Sequence, residues 1–186
     1  MTTDFTETEN RVITSAIAFA NDVLEPNAMK WARGETLARE FFLQAAKYDL
    51  CGLLVPSALG GSELGYRAFA SVLERLASVC FASTFALVVH NNLASNIAKN
   101  GDAQHKTLLP AMLAGEKIGA FLLTEPGAGS DAGAIVTTAG AANGDGELSG
   151  AKAWITNGVI ADVLSVYVQT EPGSGAKGIA NYLIET

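Results

Sequence analysis

Residues 121–131 read FLLTEPGAGSD, and they mark the point at which the character of the chain changes. An apolar stretch leads into Thr124 and is followed by a loop that contains one proline and two glycines. Glycine lets backbone N–H groups approach a ligand closely, and the hydroxyl of Ser130 adds a donor, a combination that suits a phosphate or pyrophosphate. A glycine-rich turn between two strands, with no ligand, is the alternative interpretation of the same residues.

The loop does not match the GxGxxG fingerprint of dinucleotide-binding folds. Gly127 and Gly129 occupy the first two positions, but Ala132 stands at the third and Gly133 comes one residue late. The residues that follow, Ala134–Ala139, are strand-like, whereas the fingerprint opens a helix. The sequence therefore does not predict a Rossmann fold.

The residues before this loop carry helical periodicity. Thr6 and Glu9 are predicted to form a capping box, and apolar residues then recur at steps of three and four. Pro26 is expected to end this first helix, because proline removes a donor and clashes with the preceding turn. Gly101 is expected to close a later helix as a left-handed C-cap. Beyond the first helix, the pattern predicts helices at Glu35–Leu50, Tyr66–Val79, Phe81–Lys99 and Gln104–Leu113, with a loop at Val55–Gly65.

From Ile118 onward the pattern is one of short β-branched or aromatic segments separated by turn residues. Strands are predicted at Gly119–Leu123, Ala134–Ala139, Glu147–Leu148, Lys152–Ile155, Val163–Gln169 and Ala180–Ile184. Turns are predicted at Asn143-Gly144, Asp145-Gly146 and Asn157-Gly158. Helices followed by strands predict an α+β chain: an N-terminal all-helical bundle over residues 1–117, then part of an antiparallel β-barrel or sandwich over 118–186.

Composition excludes several classes of protein. The chain is 49% hydrophobic and 17% charged, and 19 acidic against 12 basic residues give a net charge of −7, which disfavours nucleic-acid binding. The apolar runs are too short to span a membrane, no secretory signal is expected, and no Cys/His cluster has metal-ligand spacing. Cys51 and Cys80 are not in a paired spacing, so free thiols in a reducing, cytoplasmic setting are expected.

A second informative segment, residues 150–158, reads GAKAWITNG. It places Trp154 in a predicted strand that ends at a turn, with Thr156 directly before the turn. An indole can pack on an aromatic cofactor, and a nearby hydroxyl can donate to a ring nitrogen or carbonyl. A core tryptophan beside a hairpin is the alternative.

Together the two segments resemble the acyl-CoA dehydrogenase family. LTEPGAGSD at 123–131 is followed by LSGAKAWITNG at 148–158 and by an Ala-Asp pair at 161–162. The order and spacing of these pieces extend over nearly the whole chain. Further pieces that resemble family motifs are Pro56 with Gly60-Gly61, VLERLA at 72–77, GDAQHK at 101–106, Gly178-Ile179 and Ile184-Glu185. His105 stands between Gln104 and Lys106, where the family has Gln directly before Lys.

The resemblance implies an FAD cofactor that lies along the first segment. It also implies that two strand ends, at Thr124 and at Trp154, come together as a wall against the flavin. It implies cofactor contacts from Phe121, Leu123, Thr124, Gly129, Ser130, Trp154, Ile155 and Thr156. Donors beside the ring, Thr156 among them, would stabilise the negative charge that a flavin gains on accepting hydride. The resemblance also implies substrate contacts from Ser130, on the CoA arm, and from Leu87, His90 and Asn91 in the fourth predicted helix. A histidine bonded to backbone groups is the favoured alternative for His90.

The activity implied by the resemblance is that of a flavin oxidoreductase of fatty acid metabolism. It removes an α proton and a β hydride from an acyl-CoA thioester, gives a trans-2-enoyl-CoA, and passes electrons to an electron-transferring flavoprotein. Family members are about twice as long, and in most of them a second helical domain supplies the catalytic glutamate. No catalytic residue is therefore assigned, and Glu125 is expected to be structural.

The chain is accordingly expected to be truncated, without the C-terminal helical domain, and not active alone. It would need its missing C-terminal half or a homo-oligomer partner. Two alternatives stay open at this point: a non-catalytic half that binds flavin or a partner subunit, and a relative of acyl-CoA oxidases or of enzymes that act on nitroalkanes.

Overall fold

The structure is a computed structural model that describes residues 4–140 and 147–186. Its internal contacts divide the chain into two compact units, Met1–Gly119 and Ala120–Thr186. The limits of 1–117 and 118–186 stay a prediction about domains, because compact units need not coincide with domain limits. The turns predicted at Asn143-Gly144 and Asp145-Gly146 lie outside the described residues.

The first unit is helical. Its helices are α1 (Glu7–Phe19), α2 (Glu25–Ala32), α3 (Glu40–Lys47), α4 (Tyr66–Ala77), α5 (Phe81–Asn100), α6 (Ala103–Lys106) and α7 (Leu109–Leu113). The predicted loop Val55–Gly65 holds only a 3₁₀ turn at Ser57–Leu59. Helix α1 packs on α4, and α4 packs on α5. No helix within residues 4–140 and 147–186 combines the length and the apolar character needed to cross a membrane.

The capping box predicted at the start of α1 is confirmed. The Thr6 hydroxyl accepts a hydrogen bond from the Glu9 backbone nitrogen at 3.2 Å, and the Glu9 carboxylate accepts one from the Thr6 nitrogen at 2.9 Å. These two bonds satisfy backbone donors that the first turn of a helix otherwise leaves free.

The prediction that Pro26 ends the first helix is wrong. The chain continues from α1 through a π-helical turn, Ala20–Leu24, directly into α2. In that turn the Glu25 nitrogen bonds to the carbonyl of Ala20, five residues back. Pro26 then falls in the first turn of α2, where a missing N–H is tolerated.

Three other helical predictions need correction. Helix α3 is shorter than the predicted Glu35–Leu50, because residues 35–39 bury no side chain and so gain no packing energy from a helix. The predicted helix Gln104–Leu113 is split into α6 and α7. Pro110 lies in the first turn of α7, where its missing N–H is tolerated. Gly101 has φ −69°, so the predicted left-handed C-cap is wrong. Glycine is favoured there because a Cβ would lie 2.6 Å from the carbonyl oxygen of Ile97.

Large apolar side chains of α1 and α3 form the centre of the helical core. Phe19 and Phe42 are both fully buried, and burial of such a ring contributes about 2–3 kcal/mol. The Phe19 ring contacts Phe41 and Tyr48, with centroids 5.7 and 5.3 Å away. This aromatic group ties the first helix to the third.

The second unit is built on a mixed sheet. Its strands are β1 (Gly119–Leu122), β2 (Thr138–Ala139), β3 (Leu148–Ser149), β4 (Val163–Gln169) and β5 (Ile179–Glu185). Strand β4 bonds to β1, β2 and β5, and it runs antiparallel to β5 from Val163↔Glu185 to Gln169↔Ile179. The expectation of an antiparallel sheet needs one correction, because β2 pairs with β4 in parallel at Thr138↔Gln169.

The strand predicted at Val163–Gln169 is confirmed to the residue, and the one predicted at Ala180–Ile184 lies within β5. Only the end of the predicted strand Ala134–Ala139 is β structure. The Asp131 carboxylate accepts from the Gly133 nitrogen at 3.1 Å and caps a 3₁₀ turn at Ala132–Ala134 instead.

The predicted strand Lys152–Ile155 is not formed. Trp154 has φ +59°, a left-handed conformation that takes the backbone out of an extended ladder.

Candidate functional site

The two sequence segments singled out above are joined in the second unit by a backbone hydrogen bond. The nitrogen of Ala153 donates to the carbonyl oxygen of Thr124 at 2.9 Å. The loop after β1 and the segment that carries Trp154 therefore lie side by side. The predicted meeting of the segment that ends at Thr124 with the segment that carries Trp154 is confirmed, although the second of them is not a strand.

A buried ion pair lies beside this bond. The Lys152 ammonium is 2.7 Å from Oε1 of Glu125, and the two side chains are 7% and 3% exposed. Nζ of Lys152 also donates to the carbonyl oxygen of Leu123 at 3.1 Å. The carboxylate of Glu125 accepts two further bonds, from the nitrogens of Val136 at 2.7 Å and Thr137 at 2.9 Å.

These contacts decide the charge state of Glu125. Burial alone would raise the pKa of Glu125, but the Lys152 ammonium and the backbone N–H donors outweigh it and lower the pKa to about 2. A carboxylate with this pKa is ionised and is a poor acceptor of a substrate proton near neutral pH. This agrees with a structural role for Glu125.

Lys152 was not among the site residues predicted from the sequence. The available signal was a charged residue inside an otherwise apolar segment, since buried lysines and glutamates are found paired.

The glycines of the first segment stand in open space. Glu125 and Ala128 close a tight turn, with reciprocal N–H to O bonds of 3.0 and 3.1 Å. A Cβ built on Gly127 or Gly129 would meet no atom within 4 Å, and neither residue has a positive φ. Neither packing nor backbone conformation thus requires glycine at these two positions, whereas the close approach of a ligand to the backbone would.

The other predicted residues of this segment lie around the turn. Phe121 is half-exposed, and its ring centroid is 4.8 Å from that of Tyr167. Leu123 and Thr124 are half-buried, and Ser130 is exposed. The hydroxyl groups of Thr124 and Ser130 are therefore on or near the surface of the unit.

The side chain of Trp154 is exposed on the surface of the second unit. It is 92% exposed and has a left-handed backbone, so the alternative of a core tryptophan is wrong. A bulky residue in this conformation costs about 1–2 kcal/mol and persists only where its surroundings hold it. Ile155 and Thr156 follow, half-buried, and Asn157 at φ +66° forms the predicted turn.

A groove of about 540 Å³ lies in the same unit, and its volume is in the range of small-molecule sites. Its walls are Leu122, Thr137, Leu148, Gly150, Lys152, Ile155, Gly158, Val159, Leu164, Val166 and Ile184. This lining is mainly apolar and suits a hydrophobic occupant better than a phosphate. Among the predicted cofactor-contact residues, Ile155 lines it.

In the first unit, the predicted substrate residues Leu87, His90 and Asn91 are all buried on α5. The Asn91 side chain accepts from the Leu53 nitrogen at 2.8 Å and donates to the carbonyls of Leu50 at 2.8 Å and Leu87 at 3.0 Å. It therefore anchors the chain after α3 to the long helix. A substrate contact from Leu87, His90 or Asn91 stays a prediction.

His90 is bonded to the backbone on both ring nitrogens. Nε2 lies 3.1 Å from the Met112 carbonyl oxygen, and the Gly119 nitrogen donates to Nδ1 at 3.2 Å. Burial lowers the pKa of His90 to about 4, which leaves a neutral ring with its proton on Nε2. This is the backbone-bonded alternative foreseen from the sequence.

Comparison with known proteins accounts for both units. The family description "Acyl-CoA dehydrogenase, N-terminal domain" matches residues 6–116, and "Acyl-CoA dehydrogenase, middle domain" matches residues 120–186. A mitochondrial isobutyryl-CoA dehydrogenase of Dictyostelium discoideum is 36% identical over 184 residues, which are 97% of this chain and 44% of that protein.

Solved structures agree with this match. The butyryl-CoA dehydrogenase of Megasphaera elsdenii superposes with a TM-score of 0.90 at 28% identity, over 100% of this chain and 50% of that one. PigA, solved with FAD and proline, gives a TM-score of 0.89 at 32% identity, with the same coverage. The chain thus spans about half the length of the relatives that it matches. With both of its units matched in order, the chain belongs to the acyl-CoA dehydrogenase family.

Proposed function

We propose that this chain is the N-terminal, FAD-binding half of a flavin oxidoreductase that converts an acyl-CoA thioester to a trans-2-enoyl-CoA. The observation that carries the proposal is the Ala153–Thr124 hydrogen bond, which brings the two cofactor segments together beside an exposed Trp154. Relatives that are named as acyl-CoA dehydrogenases, and a relative solved with FAD, support the cofactor and the reaction class.

The residues present fit such a cofactor. FAD, when bound, supplies the acceptor for the β hydride of the substrate. Trp154 and Ile155 would cover an aromatic ring, and the Thr156 hydroxyl would donate to its polar edge. Phe121, Leu123 and Thr124 would line the same ring from the first segment. Gly129 and Ser130 would hold the pyrophosphate, with Ser130 also on the CoA arm, since the backbone there is open to a ligand.

The chain's own acidic residue in the loop is not the proton acceptor in this proposal. Glu125 is buried and ion-paired, and its pKa is lowered to about 2. We therefore assign no catalytic residue within 1–186 and place the general base elsewhere in the complete enzyme. Leu87, His90 and Asn91 of α5 are proposed as substrate contacts in the complete enzyme.

The partners proposed for the complete enzyme are an acyl-CoA substrate, an electron-transferring flavoprotein as acceptor, and the C-terminal half or a second copy of the chain. A cytoplasmic location is proposed from the free thiols of Cys51 and Cys80. Some relatives are named as mitochondrial, so organelle import would be the contrary result.

One alternative has support of its own. PigA was solved with proline, so the fold is also found in a protein crystallised with a ligand that is not a thioester. A member that binds FAD but does not oxidise acyl-CoA would keep the flavin-facing residues and lack the thioester reaction.

The experiment is a two-step spectroscopic test. The purified chain is mixed with FAD, freed of unbound flavin, and examined for bound flavin in the visible spectrum. Acyl-CoA thioesters of several lengths are then added without oxygen, with and without a separately expressed C-terminal half from a close relative. Bleaching of the flavin supports the dehydrogenase. Bound flavin that never bleaches favours the non-thioester alternative, and failure to retain any flavin in either form contradicts the proposal.

A further inference from the structure

The ion pair of Lys152 and Glu125 is buried at a high desolvation free energy. Removing an ammonium and a carboxylate from water costs several kcal/mol per ion, and an apolar pair of similar volume is often as stable. The two side chains are nonetheless only 7% and 3% exposed. A buried pair of this kind contributes conformational specificity in some proteins, so the contacts that it makes indicate what it specifies.

Those contacts converge on one place. Lys152 Nζ holds the carbonyl of Leu123 at 3.1 Å and the carboxylate of Glu125 at 2.7 Å, and the next residue, Ala153, holds the carbonyl of Thr124 at 2.9 Å. Two consecutive residues of the second segment thus bind three consecutive residues of the first. These bonds lie immediately before Trp154.

Glu125 extends the connection to a third piece of chain. Its two oxygens accept from the nitrogens of Val136 and Thr137, which lead into β2. A Cβ on Gly150 would lie 2.4 Å from the hydroxyl oxygen of Thr137, so the start of the second segment is also pressed against this piece. The backbone on either side of the pair is therefore fixed in position by short contacts.

We propose that Lys152 and Glu125 are positioning residues: their pairing holds Trp154 and Thr156 in register with residues 121–130, so that the cofactor-facing surface is formed before the cofactor binds. This inference rests on the proposed FAD site and deepens it. The left-handed backbone of Trp154 is the feature that requires such support, because a residue other than glycine adopts it only where its neighbours hold it in place. A surface organised in advance loses less conformational entropy on binding.

A purely structural role predicts something different. If the pair only stabilised the β unit, its loss would act on FAD affinity no more than any equally destabilising core substitution. Val168 is a suitable comparison, since it is fully buried in β4 and paired with Ala180 of β5. Val168→Ala therefore serves as the control that destabilises the β unit without touching the pair.

The test uses the full chain in five forms: wild type, Lys152→Met, Glu125→Gln, the double variant, and Val168→Ala. For each, the FAD dissociation constant, the urea unfolding midpoint, and hydrogen exchange at the Ala153 amide relative to the β4–β5 amides are measured. We expect Lys152→Met to raise the FAD dissociation constant about tenfold or more and to deprotect Ala153 selectively. Val168→Ala should lower the unfolding midpoint and leave both other quantities unchanged.

The double variant separates stability from positioning. Each single variant leaves one buried charge without its partner, so combining them should recover part of the unfolding midpoint. FAD affinity should not recover with it, because a methionine at position 152 donates no hydrogen bond to the Leu123 carbonyl or to the side chain at position 125.

Two results would overturn the inference: FAD affinity in Lys152→Met equal to that in Val168→Ala, or recovery of affinity together with stability in the double variant. If the wild-type chain binds no FAD, the proposed function fails, and hydrogen exchange alone decides the inference. Selective loss of protection at Ala153 in Lys152→Met then supports it, and equal protection in Lys152→Met and wild type overturns it.

Discussion

The backbone nitrogen of Ala153 donates to the carbonyl oxygen of Thr124 over 2.9 Å, and the residue after Ala153 is an almost fully exposed tryptophan. A backbone hydrogen bond next to an exposed aromatic side chain is the arrangement expected of a rigid platform for a planar ligand. The hydrogen-bonded part of the proposed site and its exposed part are thus adjacent residues. Substitutions on the two sides of this boundary should have different consequences.

Replacement of Trp154 should separate ligand affinity from stability. Trp154→Gly removes the exposed indole and suits the left-handed φ of +59°, so we expect the free energy of unfolding to stay the same or rise by about 1 kcal/mol. FAD affinity should fall about tenfold in the same variant. Urea unfolding and a flavin titration measure the two effects. Met29→Ala, at a residue of α2 that is 62% exposed, is the control and should change neither quantity. Unchanged FAD affinity in Trp154→Gly would argue against the proposed site.

His90 should make stability depend on pH between 6.5 and 4. Burial lowers the pKa of His90 from 6.5 to about 4, so in this window the unfolded chain binds a proton that the folded chain does not. The contribution of His90 is therefore complete above pH 6.5 and is lost as the pH falls to 4, by about 3 kcal/mol. Urea unfolding of wild type and His90→Gln across this range measures it, and the two curves should converge toward acid. Parallel curves would contradict the burial of a neutral ring.

The effect of Glu125 should appear at lower pH. Its pKa is lowered from 4.5 to about 2, so the stability that it contributes is present above pH 4.5 and is lost as the pH falls toward 2. Glu125→Gln should remove this acid limb and leave the His90 limb unchanged. If Glu125→Gln also changed the pH dependence between 6.5 and 4, the assignment of that part of the curve to His90 alone would be wrong.

Asn91 should be a stability residue of the helical unit. Asn91→Ala leaves the Leu53 nitrogen and the Leu50 and Leu87 carbonyls without their side-chain partner, which should cost about 3 kcal/mol. Asn92→Ala, at the exposed next position of α5, is the matched control and should be neutral or slightly stabilising. Circular dichroism during urea unfolding measures both. A wild-type midpoint in Asn91→Ala would point back to a role in substrate contact alone.

Two glycines should respond in opposite ways to alanine. A Cβ on Gly61 would lie 2.1 Å from the Val55 carbonyl oxygen, so Gly61→Ala should destabilise the chain by about 3 kcal/mol. Gly127→Ala meets no atom within 4 Å and should leave the unfolding free energy within about 0.5 kcal/mol of wild type. If the turn binds pyrophosphate, Gly127→Ala should weaken FAD binding while stability is unchanged. Equal FAD affinity in Gly127→Ala and wild type would remove the ligand-based reason for this glycine.

Local pattern was enough to predict β4, because its β-branched and aromatic residues and the flanking turn residues agree with the sheet that forms. The same reasoning failed at Lys152–Ile155, where Trp154 and Ile155 have high β-propensity but the backbone of Trp154 is left-handed. Strained conformations of this kind override local preference, and a proposed ligand-facing site is where sequence reasoning is expected to fail.

The site was predicted in its parts but not in its connections. The resemblance of the two motifs indicated that Thr124 and Trp154 would meet, and the Ala153–Thr124 bond joins their segments. The pairing of Lys152 with Glu125 spans 27 residues, and no local rule links two charges so far apart along a chain. It becomes visible only once the fold shows that both are buried.

The π-helical turn at Ala20–Leu24 has a consequence for how this protein and its relatives can differ in length. A π turn arises when one residue is inserted into an α-helix while the flanking turns keep their phase. Losing one residue there would restore plain α geometry but would set the Pro26 ring against the carbonyl of the turn before it. Evolutionary loss of that residue should therefore occur together with replacement of Pro26, and relatives with the shorter opening helix should carry an ordinary helix-forming residue at that position.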